Sequence, residues 1–436
     1  MSKGVLIAVL IVSLIYLVTC SSSVDSLSGE DIDNGNVTQA ELAAAESTLT
    51  AATAKFGFQL FREIVADAEP TENVFISPLS VLNALVMAKN GAAGETEQAF
   101  NELLGVEGHS NNALNQMMRE ITDQLSHTDP GVQFRAANSI WSRTGKALVP
   151  DFVALCQDYL NAVAREIDFR ATGTADTINN WVAENTNNKI LEIIKAPISP
   201  DMALLLMNAI YFNANWTYPF DTALIRMGPF YLADGTTSDC ELMFRDFAED
   251  QAFFDQYSER PITYFRDGDY FTPGTVMGAS LPYGSEGYYM TILMPDSAIT
   301  MGEFMELLTV ENWQAWQQLP REHDWYFAMP KFRLEFGVDL NDVLATMGLG
   351  IAFNPEQADF SDMFMDGEGC IDNVQHKTFI QVDEHGTEAA AVTTVWYADS
   401  MPPLFIADRP FLVVIHEQST GAILFIGRIS NPVWQE

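Results

Sequence analysis

The side chains able to do covalent or metal chemistry are few and badly spaced for it. The six histidines fall at positions 109, 127, 323, 376, 385 and 416, with no pair at i, i+4 to share one helix face. Outside the first twenty residues Cys156, Cys240 and Cys370 stand far apart. No Gly-x-Ser-x-Gly elbow, His-Glu-x-x-His, Gly-Lys-Ser/Thr phosphate loop or Cys-x-x-Cys occurs. Gly348-Leu-Gly350 and Gly367-Glu-Gly369 lack a third glycine in register between a strand and a helix, and read as turns. No metal, no cofactor and no enzymatic activity are expected.

The segment that stands out runs from Gly386 to Pro403, and its chemistry is that of the backbone. After Glu388 it passes through Ala389, Ala390, Ala391, Val392, Thr393, Thr394 and Val395 without a charge or a proline, which is strand composition. A period of two puts Thr387, Ala389, Ala391, Thr393 and Val395 on one face and Glu388 on the other, so one face can enter a core. Bare segments of this kind aggregate unless the protein itself uses them for strand pairing. An ordinary edge strand is the alternative.

The 436 residues carry 59 Asp and Glu against 22 Lys and Arg, a net charge of −37. Phosphate backbones are bound through clustered bases, and no basic stripe exists, so nucleic acid is excluded as a partner. The acidity reads as a solvated surface. Lys3 and the apolar run Val5 to Val18, shorter than a spanning helix, predict a secretory signal over residues 1–20 and a secreted, extracellular protein with no membrane segment after its removal. A lipoprotein box at Cys20 or an uncleaved anchor is the alternative. Three cysteines then remain, an odd number, so a disulfide framework is not what holds the fold. Sequons at Asn36 and Asn215 predict glycosylation on a eukaryotic secretory route, with burial the objection at Asn215.

Residues 21–50 are acidic and without aromatics, and are expected to form a flexible extension. Helical periodicity begins at Ala51, with Phe56, Leu60, Phe61, Ile64 and Val65 on one face. Pro78 opens a second helix, and others are predicted over Asn112 to Gln124, Phe152 to Val163 and Ala175 to Ile194. Leu204 to Phe212, Tyr288 to Met294, Phe411 to His416 and Ala422 to Ile429 read as strands. Helices first and strands later predict an α+β class, and no repeat or linker divides residues 51–436.

Separate segments of that span resemble one family, the serpins. Asn73-Val-Phe-Ile-Ser-Pro-Leu-Ser80 with Gly91-Ala-Ala-Gly-Glu-Thr96 is similar to its early helix signature, and Leu206-Met-Asn-Ala-Ile-Tyr-Phe-Asn-Ala-Asn-Trp216 to its central strand. Trp181-Val182 with Thr186 and Lys189-Ile190, then Phe360-Ser-Asp362, Ala407-Asp-Arg-Pro-Phe411 and Gly427-Arg-Ile-Ser-Asn-Pro432 continue the likeness in order. The resemblance implies helices packed around a large central mixed β-sheet with two smaller sheets, and an exposed reactive centre loop. Ser77, Ser80, Asn208 and His376 match the shutter beneath the strand gap that loop insertion opens. Trp216, Lys331 and Glu384 match the breach where the loop enters, with a Lys331–Glu384 ion pair expected. Glu384, Gly386, Thr387, Glu388, Ala389, Ala390 and Ala391 match the hinge of inhibitory members.

The implied function is irreversible inhibition of an endopeptidase, the partner being a target protease trapped as a covalent complex. Loop insertion drives the trap from a metastable native state. Counting back from Met401-Pro402-Pro403 puts the cut at Asp399–Ser400, and counting forward from Glu384 puts it at Ser400–Met401. Trp396-Tyr-Ala-Asp399 before a small residue favours the first and an Asp-specific target, granzyme-like or caspase-like, as for cross-class members. The alternatives are an elastase- or chymotrypsin-like enzyme cutting at Ser400 or Tyr397, and a non-inhibitory ligand carrier or storage protein. Phe100 to His127 holds only Arg119 among Lys and Arg, which argues against heparin, and a monomer is expected.

Overall fold

The computed structural model describes residues 39–245, 262–267, 276–296, 299–323, 325–386 and 403–434. The first helix, α1, spans Gln39–Asp67, so it begins twelve residues before the periodic face that announces it. This corrects the flexible reading of residues 39–50: alanine, glutamate and leucine dominate there, and such residues favour helix without any apolar stripe.

Further helices are α2 Pro78–Lys89, α3 Gly94–Leu104, α4 Asn111–His127, α5 Pro150–Leu160 and α6 Thr174–Asn185. Pro78 occupies the position where a missing amide costs nothing, and the Ser77 hydroxyl caps α2 by accepting the Ser80 N–H. Two predicted helices are shorter than their periodicity. Asn161 takes a left-handed φ of 47° and ends α5, so Val163 starts a strand. Asn187 and Asn188, at φ 53° and 58°, stop the chain beyond α6 from continuing as helix to Ile194.

Three sheets complete the fold among the described residues. A five-stranded mixed sheet carries the longest strands, in the order β11 (Phe332–Asp339), β12 (Asn373–Val382), β4 (Leu204–Ala214), β2 (Val132–Arg143) and β3 (Val163–Ile167). β12 runs parallel to β4, while β11 and β2 flank that pair antiparallel. A six-stranded antiparallel sheet has more strands but shorter ones: β1 (Val74–Ile76), β15 (Ile423–Ile429), β14 (Phe411–Glu417), β9 (Tyr288–Pro295), β8 (Val276–Tyr283) and β7 (Thr263–Arg266). The third joins β13 (Leu404–Ile406), β10 (Tyr326–Pro330), β6 (Thr237–Arg245) and β5 (Arg226–Tyr231).

β4 is buried on both faces, which explains its unbroken apolar sequence. Leu204, Leu206, Ile210 and Phe212 join the main core with α2, while Leu205, Met207 and Ala209 join a second cluster with Trp141, Phe379, and Ile178 and Val182 of α6. Both sides of the seam between β12 and β4 are therefore covered. Among the described residues no helix is long and apolar enough to cross a membrane, and no three metal-ligating side chains converge.

Candidate functional site

The seam is where the structure gathers its buried polar groups. β12 and β4 pair from Asn373 opposite Leu205 to Phe379 opposite Tyr211. Midway, Asn138 of β2, Asn208 of β4 and His376 of β12 stand directly opposite one another across three strands. The Asn208 amide donates to the Ser80 carbonyl at 3.0 Å, and contacts the Ser80 hydroxyl and Asn138 Oδ1. His376 Nε2 accepts the Ser77 N–H at 3.1 Å, which leaves its proton on Nδ1, against Asn208 Oδ1. Ser77 enters through its backbone, since its hydroxyl is committed to the cap of α2.

Burial pushes the His376 imidazole down to about 3, so it is neutral at physiological pH. Neutrality matters because a charged imidazole could not accept from Ser77. Removing one member would leave a buried partner unsatisfied, costing about 1–3 kcal/mol. The network thus ties β2, β4 and β12 to the start of α2. Asn138, fully enclosed, was not singled out from sequence, although an asparagine inside the apolar run Ala-Ala-Asn-Ser-Ile-Trp is a signal in itself.

At the upper end the strands diverge and the chain doubles back between them. Asp383 and Gly386 exchange backbone bonds of 3.1 and 3.3 Å, and Gly386 also bridges antiparallel to Asn215, just past β4. The φ of Gly386 is +113°, and a Cβ there would lie 2.3 Å from the Trp216 nitrogen. Only glycine fits. Trp216 closes the corner: its indole donates to the Asp383 carbonyl at 2.9 Å, its N–H to the His385 carbonyl at 3.0 Å, and its ring stacks on Tyr283 at 4.3 Å.

Beside it, Lys331 Nζ lies 2.9 Å from Glu384 and 3.5 Å from Glu241, and 4.6 Å from the centre of the Trp434 ring. The Lys331 and Glu384 side chains are 11% and 14% exposed, so this is no loose surface pair. Burial works against both charges, but Glu384 and Glu241 raise the Lys331 pKa on balance, and a hydrogen bond from its own backbone N–H, followed by Lys331, holds that of Glu384 below its usual value. Glu241 and Trp434 were not foreseen, being remote in sequence.

Ser77, Ser80, Asn208 and His376 thus come together, as do Trp216, Glu384 and Gly386, with Lys331 paired to Glu384. Asn215 is exposed, which removes the objection of burial to its sequon. Thr387, Glu388, Ala389, Ala390, Ala391, Tyr397, Asp399 and Ser400 lie outside the described residues, as do Asn36 and the predicted signal segment.

A family model described as Serpin (serine protease inhibitor) matches residues 51–432. The chain is 31% identical over 394 residues to Serpin B8 of Homo sapiens, covering 88% of this chain and 99% of that one. It is 31% identical over 400 residues to the leukocyte elastase inhibitor of Bos taurus, with coverages of 88% and 99%. Among solved structures it resembles Tengpin, a thermophilic serpin in the native state, with a TM-score of 0.76 at 28% identity over 93% of this chain and 96% of that one. The family description gives the chain a role that the missing motifs did not supply, serine protease inhibitor. On the family match and these relatives, the chain belongs to the serpins.

Proposed function

We propose that the protein is an irreversible, suicide-substrate inhibitor whose reactive loop, once cut, inserts as a new strand between β12 and β4. The observation that carries this is the seating of Gly386, bridged antiparallel to Asn215 and Asp383, the residues that follow β4 and β12, in one register with both strands. Continued along the seam, that register would set Thr387 between Ala214 and Val382, and Thr393 between Asn208 and His376. Thr387, Ala389, Ala391, Thr393 and Val395 would then face the main core, and Glu388 the opposite side. Insertion replaces one parallel pairing by two antiparallel ones, the more stable kind per residue. The shutter network holds the seam closed until then.

The cut at Asp399–Ser400, and an Asp-specific protease as target, rest on Trp396-Tyr-Ala-Asp399 and the count back from the prolines. An elastase-like protease cutting at Ser400 is the second reading, favoured by the likeness to leukocyte elastase inhibitor. Secretion is supported by Lys3 with the apolar run after it, and glycosylation at Asn36 and Asn215 depends on it. A monomer without heparin is supported by the acidic surface and by Arg119, which lies over the Tyr159 ring.

Incubation with Asp-specific, elastase-like and chymotrypsin-like proteases, followed by a denaturing gel, tests this. A covalent band with an Asp-specific enzyme is expected, and the released peptide should begin at Ser400. Clean cleavage without a band contradicts inhibition, and a peptide starting elsewhere contradicts the assigned bond.

A further inference from the structure

The lower end of the seam holds a group that nothing above accounts for. Asp372 stands one residue before β12, and its carboxylate reaches across to β4. Oδ2 accepts the backbone N–H of Ala203 at 2.6 Å and that of Leu204 at 2.8 Å. The Asp372 N–H donates to the Leu204 carbonyl at 3.2 Å. On the other side, Asn341 donates to the Asp372 carbonyl at 2.7 Å and accepts the Val374 N–H at 2.9 Å. β12 is thus tied at its base in two directions, and only the ties to β4 cross the seam. Arg143, at the end of β2, donates its N–H to the Ala203 carbonyl at 2.9 Å and adds favourable charge beside the carboxylate.

We propose that Asp372 is a positioning residue for inhibition, a catch that holds the base of β12 on β4 and releases only when the loop strand completes its passage. This rests on the reading of the seam as the insertion site. A strand entering at Gly386 must separate all seven rungs from Phe379–Tyr211 to Asn373–Leu205 before reaching Leu204. One added strand widens the gap by about 4.8 Å, which a short aspartate side chain cannot span. The carboxylate bonds to Ala203 and Leu204 therefore belong to the uninserted state alone, and they oppose the last part of insertion.

The test uses the full chain with a synthetic peptide of residues 387–400, which competes for the seam without any protease. Uptake is followed by native-gel mobility for the wild type, Asp372→Ala and Asp372→Asn. Losing two hydrogen bonds to a charged acceptor should speed uptake about tenfold or more in Asp372→Ala. Asp372→Asn, which keeps an acceptor and guards against a misfolded alanine variant, should fall between. Asp372→Ala should also lower the melting temperature of the intact protein but not that of the loop-cleaved form. Equal uptake rates, or equal losses of melting temperature in both forms, would reduce Asp372 to an ordinary structural contact and overturn the catch. Failure of the peptide to enter even the wild type is a different result, and it removes the insertion site and the catch together.

Discussion

Gly386 is paired antiparallel with Asn215, at the mouth of the seam between β12 and β4. Its backbone occupies the place where an inserted strand would begin, and no Cβ fits there. Gly386→Ala would add a left-handed strain of about 1–3 kcal/mol and a clash with the Trp216 backbone. The intact protein should melt earlier in calorimetry, and a larger share should be cleaved without forming complex.

Lys331 and Glu384 hold the same mouth from the side. Lys331→Met leaves the largely buried Glu384 carboxylate without its closest cation, and breaking such a pair costs about 3–5 kcal/mol when fully enclosed and less here. Faster spontaneous insertion on warming is expected, read as a shift to slower unfolding in transverse urea gels. The double variant Lys331→Met with Glu384→Gln should recover part of the loss.

Thr387→Arg tests the register directly. In the inserted state proposed above, position 387 would fall between Ala214 and Val382, both buried, where an arginine could not be accommodated without an unpaired charge. The variant should be cleaved as a substrate, and undiminished complex on a gel would count against the register.

The shutter should make the native state sensitive to acid. His376 is held near 3 by burial, against about 6.5 in an unfolded chain. Between those values the unfolded state binds a proton that the native state does not. Stability from this group is therefore full above pH 6.5 and falls as the pH drops, by about 1.4 kcal/mol per pH unit. His416, pushed down to about 4 by burial, acts with the same sign. Urea melts at pH 7 and pH 5 should show a shallower dependence in His376→Gln than in the wild type.

How far the sequence reveals this site depends on the range of the signal. Ser77, Ser80 and Asn208 were legible because each sits in a contiguous motif and His376 because its position matches the family's shutter, and the apolar run of β4 announced a strand. Asn138 and Asp372 were not, because their roles arise from register: Asn138 matters only because it falls opposite Asn208, and Asp372 only because it stands level with Leu204, one residue before β12 begins opposite Leu205. The helices overran for a related reason. Apolar spacing continues past Leu160 and Asn185, but asparagines with positive φ, one after α5 and two after α6, turn the chain, and periodicity does not register a local backbone angle. The early start of α1 is the reverse, helix propensity acting where no apolar stripe marks it.

The central claim is that the intact protein lies above its lowest free energy, with a place kept for one more strand. Its most direct test compares the melting temperature of the intact chain with that of the chain nicked once in the reactive loop. A marked rise after nicking is predicted, since the freed strand fills the seam. An unchanged or lower melting temperature would mean that nothing is stored, and would contradict it.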